Sequence, residues 1–314
     1  MNDLARPRIS ATVIAFNEEN DLGECLASLA WCDEIIVVDS RSTDGTRDIA
    51  ARYGARIFMR PFAGFSDQKN FAAEQAGNDW ILSIDADESV SEELREEILH
   101  RLPGESATAG FFIPRLNLWL GIPIRHGGWW PDHALRLYRR SDACWAGVSH
   151  EAVVVERPVG VLRHPIVHKS LRDVHDHLRK GLCSSVLELK EAKGRDLRLC
   201  WLPPLGLYLS CLREFFSGPP TPLRARAIYK QRLKNKVDLV WLLPFHPFLR
   251  FFYMYIVRAG FRDGIAGFWV AYTSAVVEAM KMLRIWEHFV FQRGKATRQE
   301  EMLEDPARLY RSIS

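Results

Sequence analysis

Three observations predict an α/β fold built on a mostly parallel sheet. Four apolar runs of strand length, at 9–16, 34–38, 55–59 and 80–84, fall within the first hundred residues. Segments of helical periodicity separate them. Three of the runs end directly in polar residues: Asn17-Glu18, Asp39-Ser40 and Asp85-Ala86-Asp87. Strands alternating with helices at this spacing imply a sheet covered on both faces, and ligands bind beyond the carboxyl ends of such strands. The three polar sets are therefore expected on one edge.

The elements follow in order. ISATVIAF at 9–16 reads as a buried strand. A helix is expected over 19–30, with Leu22, Leu26 and Leu29 on one face. EIIVV at 34–38 is a second strand, 43–53 a second helix and ARIFM at 55–59 a third strand. Residues 66–77 read as a helix and WILSI at 80–84 as a fourth strand. The next helix is expected to start with Ser89-Val90-Ser91-Glu92, a capping-box pattern, and to run to about residue 101. Between 104 and 170 short β-like pieces (109–113, 134–139, 152–156) alternate with Gly, Pro and Trp, and 171–193 reads as helical. The expected division is a catalytic unit over 1–197, with halves at 1–103 and 104–197, and a helical, aromatic and basic region over 198–314.

At 314 residues, with 47% hydrophobic and 26% charged, the composition is that of an ordinary globular protein. A net charge of +3 gives no reason to expect a nucleic-acid partner. The six cysteines form no Cys-x-x-Cys pair and no zinc-finger spacing, and are read as reduced thiols in the cytoplasm. The N-terminal residues lack a secretory pattern, so the catalytic part is not expected to cross a membrane.

Asp85-Ala86-Asp87-Glu88 directly follows an apolar strand. Carboxylates one residue apart at a strand end can both reach a divalent cation, Mg²⁺ or Mn²⁺, which takes oxygen ligands and shares them with substrate phosphates. Alone, the tetrapeptide fits equally a solvated acidic turn before a helix. Asp39 heads the polar turn Asp39-Ser40-Arg41-Ser42-Thr43-Asp44-Gly45-Thr46 and could accept hydrogen bonds from a base or ribose. Taken by itself, that stretch is ordinary turn chemistry. Lys69, in a helix-opening Gln68-Lys69-Asn70, could meet a phosphate or stand on the surface.

The combination is more specific than its parts. Val13-Ile14-Ala15-Phe16-Asn17-Glu18, the stretch from Ile35 to Thr46, Lys69-Asn70, and Ile81-Leu82-Ser83-Ile84-Asp85-Ala86-Asp87-Glu88 follow in order. Over about residues 8–100 this strongly resembles glycosyltransferase family 2, the inverting enzymes with the GT-A fold. The resemblance implies a nucleotide-sugar donor and a divalent metal. It implies that Asp39 contacts the base and that Phe16, Asn17 and Glu18 line the nucleotide pocket. Asp85 and Asp87 then form the Asp-x-Asp element that contacts ribose and metal-diphosphate.

An inverting transfer needs one general base on the acceptor hydroxyl. Many relatives place an acidic pair after an Arg-containing strand and a Gly-rich turn. That place here holds His150-Glu151, so the resemblance makes Glu151 the candidate base and Asp132 the second choice. Trp130, Arg136 and His150 are candidates for acceptor binding. His168 could complete the metal-diphosphate site, as a late histidine does in some GT-A enzymes, or be a capping or solvated side chain. The middle section is similar to the lipopolysaccharide core glucosyltransferases that add β-1,4-glucose to heptose, which extends the likeness to about residue 180. UDP-glucose and a lipopolysaccharide core or other lipid-linked saccharide are the implied donor and acceptor.

Further along, RARAIYKQRLKNK at 224–236 holds six basic residues and WLLPFHPFLRFFYMY at 241–255 seven aromatics. No window reaches the 20 or so uninterrupted apolar residues of a spanning helix. Interfacial helices that meet anionic lipid are expected, placing the protein on the inner face of the cytoplasmic membrane. A helical subdomain with a basic outer face fits the same pattern. Three rival functions share the α/β layout: a polyprenyl-phosphate or protein glycosyltransferase, an inactive GT-A-fold binding protein, and a nucleotidyltransferase. The last usually carries a Gly-rich basic loop after the first strand, where this chain has the acidic Asn17-Glu18-Glu19.

Overall fold

The computed structural model describes residues 7–105, 107–147, 151–171, 178 and 246–291. The first half alternates as the sequence predicts: β1 (Ile9–Ala15), α1 (Leu22–Ser28), β2 (Glu34–Asp39), α2 (Thr46–Arg52), β3 (Arg56–Met59), α3 (Phe65–Glu74) and β4 (Trp80–Asp85). A short β5 (Glu88–Val90) precedes α4 (Glu92–Arg101). Then come β6 (Gly110–Trp119), β7 (Ile122–Pro123), β8 (Asp132–Arg139), β9 (Ala143–Ala146), β10 (Ala152–Val155), β11 (Val159–Val161) and β12 (Ile166–Leu171). Two further helices are α5 (His246–Phe252) and α6 (Gly264–Phe291).

Among the described residues the main sheet runs β3-β2-β1-β4-β8-β6-β12-β5, with β7 and β11 also paired to β6. The first four strands are parallel. β8 is antiparallel to both β4 and β6, β12 is parallel to β6, and β5 is antiparallel to β12. The parallel character thus belongs to the first half, and the whole sheet is mixed. β6 and β8 pair as near neighbours in the chain, an arrangement that needs no crossover helix.

β1 sits at the centre of the parallel half, and six of its seven residues are buried. That is why it reads as a continuous apolar run. One face of the sheet meets α1 and α4 through Leu22, Leu26, Leu94 and Ile98; the other gathers Ile36, Val38, Ala72, Ile81 and Tyr138. The α4 cap differs from expectation. Ser91, not Ser89, is the N-cap, and its Oγ accepts from Leu94 N at 3.2 Å. Ser89 is held extended because Glu88–Val90 pair with Ile166–His168 of β12, so helical geometry starts after Ser91. β6 also outruns the expected 109–113, passing through Pro114 to Trp119.

At its far end β6 anchors the C-terminal helices. Trp119, Ile124, Met254, Ala266, Val270 and Ala271 form one buried cluster, with Trp129 and Phe251 against it. Asp263 reaches the same loop, accepting from His126 N at 2.8 Å and Arg125 N at 3.1 Å. Among the described residues no helix is long and apolar enough to cross a membrane. The basic run 224–236 lies outside the described residues, as does nearly all of the helix expected over 171–193; Leu171 itself closes β12.

Candidate active site

Strand register brings the polar strand ends together. Asp39 is the partner of Ala15, and Asp85 that of Ile14, so Phe16-Asn17-Glu18, Asp39 and Asp85 meet at one edge. The turn after β2 is locked onto the turn after β1. Asn17 N donates to Ser42 Oγ at 2.9 Å, Thr43 N donates back to Asn17 Oδ1 at 2.9 Å, and Glu18 N donates to Thr46 Oγ1 at 2.8 Å. Asn17 and Arg41 hold φ of 54° and 68°, a left-handed geometry that asparagine tolerates better than most residues. The spacing of Ser42, Asp44 and Thr46 therefore serves to fix the Asn17 turn.

Asp39 is fully buried. Its Oδ2 accepts from Ser42 N at 3.0 Å, while Oδ1 finds no protein partner. A buried carboxylate oxygen left this way costs about 1–3 kcal/mol or more, and a ligand N–H or hydroxyl would relieve it. Gln68, also fully buried, donates to Ser40 Oγ at 3.0 Å beside it, and its Oε1 is likewise unpartnered.

From Asp85 an alternating ladder of charges extends in both directions. Asp85 Oδ1 pairs with Lys69 Nζ at 2.9 Å, and Lys69 Nζ pairs with Glu151 Oε1 at 3.2 Å. Asp85 Oδ2 pairs with Arg136 at 2.5 Å, and the same guanidinium reaches Glu88 Oε1 at 2.8 Å. Arg115 lies 3.6 Å from Glu88 Oε1 and pairs with Asp132. The two candidate bases, Glu151 and Asp132, thus terminate the ladder at opposite ends. Burial opposes ionisation of Asp85, but the Arg136 and Lys69 charges outweigh it and hold its carboxyl well below the usual carboxylate range. Burial likewise works against the Arg136 charge, yet Asp85 and Glu88 hold its pKa above the ordinary arginine value.

Lys69 and Asn70 are positioned by α3 for different tasks. Asn70 Oδ1 accepts from Trp145 N at 2.8 Å and its Nδ2 donates to Trp145 O at 2.9 Å, stapling β9 to the helix. Lys69 Nζ sits 4.4 Å from the centre of the Trp145 ring, a cation–π contact that suits a buried ammonium. The indole N–H donates to Tyr138 OH at 2.9 Å.

Asp87 points to a different partner. Its Oδ2 is 3.5 Å from His168 Nε2, and His168 Nδ1 meets Asn117 Oδ1 at 2.7 Å. Among the described residues no three His, Cys, Asp or Glu side chains converge into a complete metal cage. Of the candidate metal ligands, Asp85 has both oxygens paired with cations, while Asp87 and His168 face each other as a donor pair that fits a divalent ion. Such a pair suits Mg²⁺ or Mn²⁺ that completes its shell with diphosphate oxygens and water.

Of the candidate acceptor residues, Arg136 is in the ladder. Trp130 stands in the loop before β8, with the Arg125 guanidinium 5.9 Å from its ring, and His150 lies outside the described residues. Arg115 and Asn117 escaped the sequence reading. Their signal is the alternation Arg115-Leu116-Asn117-Leu118-Trp119, which puts the odd-numbered residues on one face of β6.

Residues 10–140 match the profile of Glycosyl transferase family 2. The lipopolysaccharide core biosynthesis glycosyltransferase LpsC of Rhizobium meliloti (strain 1021) is 35% identical over 167 residues, covering 49% of this chain and 60% of that protein. An uncharacterized glycosyltransferase of Rickettsia prowazekii (strain Madrid E) is 44% identical over 159 residues, covering 48% of this chain and 54% of its own length. Each match spans less than two thirds of the relative. The solved structure of glucosyl-3-phosphoglycerate synthase from Mycobacterium tuberculosis with Mn²⁺, uridine diphosphate and glucosyl-3-phosphoglycerate overlaps 36% of this chain and 45% of its own, with 23% identity and a TM-score of 0.31. That overlap is too loose to assign residue roles. With the profile spanning β1 through β8 and all the strand-end acids inside it, the chain carries a glycosyl transferase family 2 domain.

Proposed function

We propose that the protein is an inverting glycosyltransferase that moves a sugar, glucose in the first instance, from a UDP-sugar to a lipopolysaccharide core or other lipid-linked saccharide. The observation that carries this reading is the meeting of Asp39, with its unpartnered buried oxygen, and the Asp85–Asp87 pair on one sheet edge. Asp39 would accept from the base, beside Phe16, Asn17 and Glu18. Asp87 and His168 would hold a Mg²⁺ or Mn²⁺ ion, which when bound neutralises charge on the diphosphate. The name of the Rhizobium relative supports a lipopolysaccharide core acceptor.

Glu151 takes the proton of the acceptor hydroxyl. The hydroxyl oxygen forms the new bond to the anomeric carbon as the bond to the diphosphate oxygen breaks, and that electron pair leaves with the nucleoside diphosphate. Attack from the opposite face inverts the centre. Lys69 Nζ pairs with Glu151 as well as with Asp85 and so holds the candidate base next to the donor-site acid; Asp132, paired with Arg115, is the second choice for the base. The exposed apolar face of α5 and α6 would rest on the inner face of the cytoplasmic membrane, where a lipid-linked acceptor is presented.

Thermal-shift measurement with Mn²⁺ and UDP-, GDP- or CMP-sugars tests the reading. Stabilisation by one nucleotide class, abolished by chelation and by Asp87→Ala, is expected. A folded chain that no nucleotide sugar stabilises would sink the donor-site assignment.

A further inference from the structure

Asn117 and His168 are register partners on the parallel strands β6 and β12. The amide orientation of Asn117 is set by its second contact: Nδ2 lies 3.3 Å from the carbonyl oxygen of Trp129. A carbonyl oxygen can only accept, so the amide NH₂ faces it and Oδ1 is left to face His168 Nδ1 at 2.7 Å. An amide oxygen also only accepts, so the imidazole hydrogen resides on Nδ1. In the neutral ring Nε2 then carries a lone pair, and it is Nε2 that stands 3.5 Å from Asp87 Oδ2.

We propose that Asn117 is a positioning residue: it locks His168 in the Nδ1–H tautomer, so that a bare Nε2 faces the cation site beside Asp87. The proposal rests on reading Asp87 and His168 as that site. Two acceptors this close gain from a cation between them, and a ligating imidazole whose other nitrogen is held by a fixed acceptor is presented in one orientation. The fixed acceptor is itself anchored. Trp129 belongs to a loop whose preceding residues are clamped by Asp263, and Gly127 N donates to Arg258 O at 3.0 Å. The orientation of His168 is therefore tied through Asn117 and Trp129 to the docking of the C-terminal helices on the end of β6.

The test uses the full chain with ¹⁵N-labelled histidine, with the pH raised until the ring nitrogen signals no longer change. The chain has ten histidines, and His168 is assigned by the signal lost in His168→Gln. The wild type should show a pyrrole-type Nδ1 and a pyridine-type Nε2. Asn117→Ala should move the ring toward the Nε2–H form. Asn117→Asp, whose carboxylate still accepts, should restore the original pattern. Mn²⁺ affinity in the presence of UDP, read from free Mn²⁺ by electron paramagnetic resonance, should fall about 10- to 100-fold in Asn117→Ala. A wild-type ring already in the Nε2–H form overturns the proposal, and so does an unchanged tautomer in folded Asn117→Ala. If the tautomer moves as expected while neither Asn117→Ala nor His168→Gln changes Mn²⁺ affinity, the positioning role stands and the cation-site reading of His168 falls.

Discussion

Burying a guanidinium costs several kcal/mol unless its partners are fixed, and Arg136 meets that condition between Asp85 and Glu88. Removing the cation would leave both carboxylates without their shared counter-charge. Arg136→Met is therefore expected to lower the unfolding free energy by about 3–5 kcal/mol, read from urea denaturation; a loss well under 1 kcal/mol, roughly the value of an exposed pair, would show the ladder to be slack. Glu34 offers a pH-dependent counterpart away from the site. Burial opposes its charge, but hydrogen bonds from Ser10 Oγ, Gly77 N and Arg56 outweigh burial and lower its pKa. A lowered folded pKa contributes stability that is full above the unfolded value of about 4.3 and is lost as pH falls through the folded value. Glu34→Gln should accordingly be less stable than wild type near neutrality, and the two urea midpoints should converge as the solution is acidified. Parallel midpoints across that range would contradict the assignment.

Single elements carry consequences that no single side chain does. β6 pairs with β8 over most of its length and with β11 and then β12 on its other side, and one face presents Arg115 to the ladder, Asn117 to His168 and Trp119 to the C-terminal cluster. α6 crosses the Gly260–Asp263 turn so closely that a Cβ on Gly267 would lie 1.9 Å from the Gly260 carbonyl oxygen. Two effects oppose each other in Gly267→Ala. Helix propensity favours alanine by about 1 kcal/mol, while a clash with backbone cannot be relieved by a side-chain rotation and overpacking costs about 1–3 kcal/mol. The clash should win, and the variant should unfold at lower temperature, with the C-terminal helices exchanging amide hydrogens faster than the sheet. Equal or higher thermal stability would show that the crossing is looser than its geometry. α6 falls within the helical region expected over 198–314; the contact that seats it was not legible, because Gly260 and Gly267 signal closeness only when two backbones are seen together.

At the scale of the whole molecule, the described C-terminal helices leave an aromatic and aliphatic face open beside arginines. Phe248 and Ile265 are each 75% exposed, and Trp269 and Tyr272 continue the stripe at helical spacing. Arg250, Arg258 and Arg262 of the same segment are exposed as well. Exposed apolar residues grouped in this way mark an interaction surface, which singly scattered ones do not. The full chain is expected to sediment with phosphatidylglycerol vesicles and less with phosphatidylcholine, and Ile265→Asp with Trp269→Asp should weaken it without unfolding. Absence of binding to either vesicle would remove the membrane from the proposed function. The amino-acid sequence by itself determined the alternating first half, the edge where Asn17, Asp39 and Asp85 meet, and the family domain, because apolar periodicity and polar strand ends are local properties. Only the tertiary structure decided which partners the acids of that edge take. Asp85 is taken up by Lys69 and Arg136 and Asp87 faces His168, since strands far apart in the chain supply the opposing charges and no local pattern records which strand lies beside which.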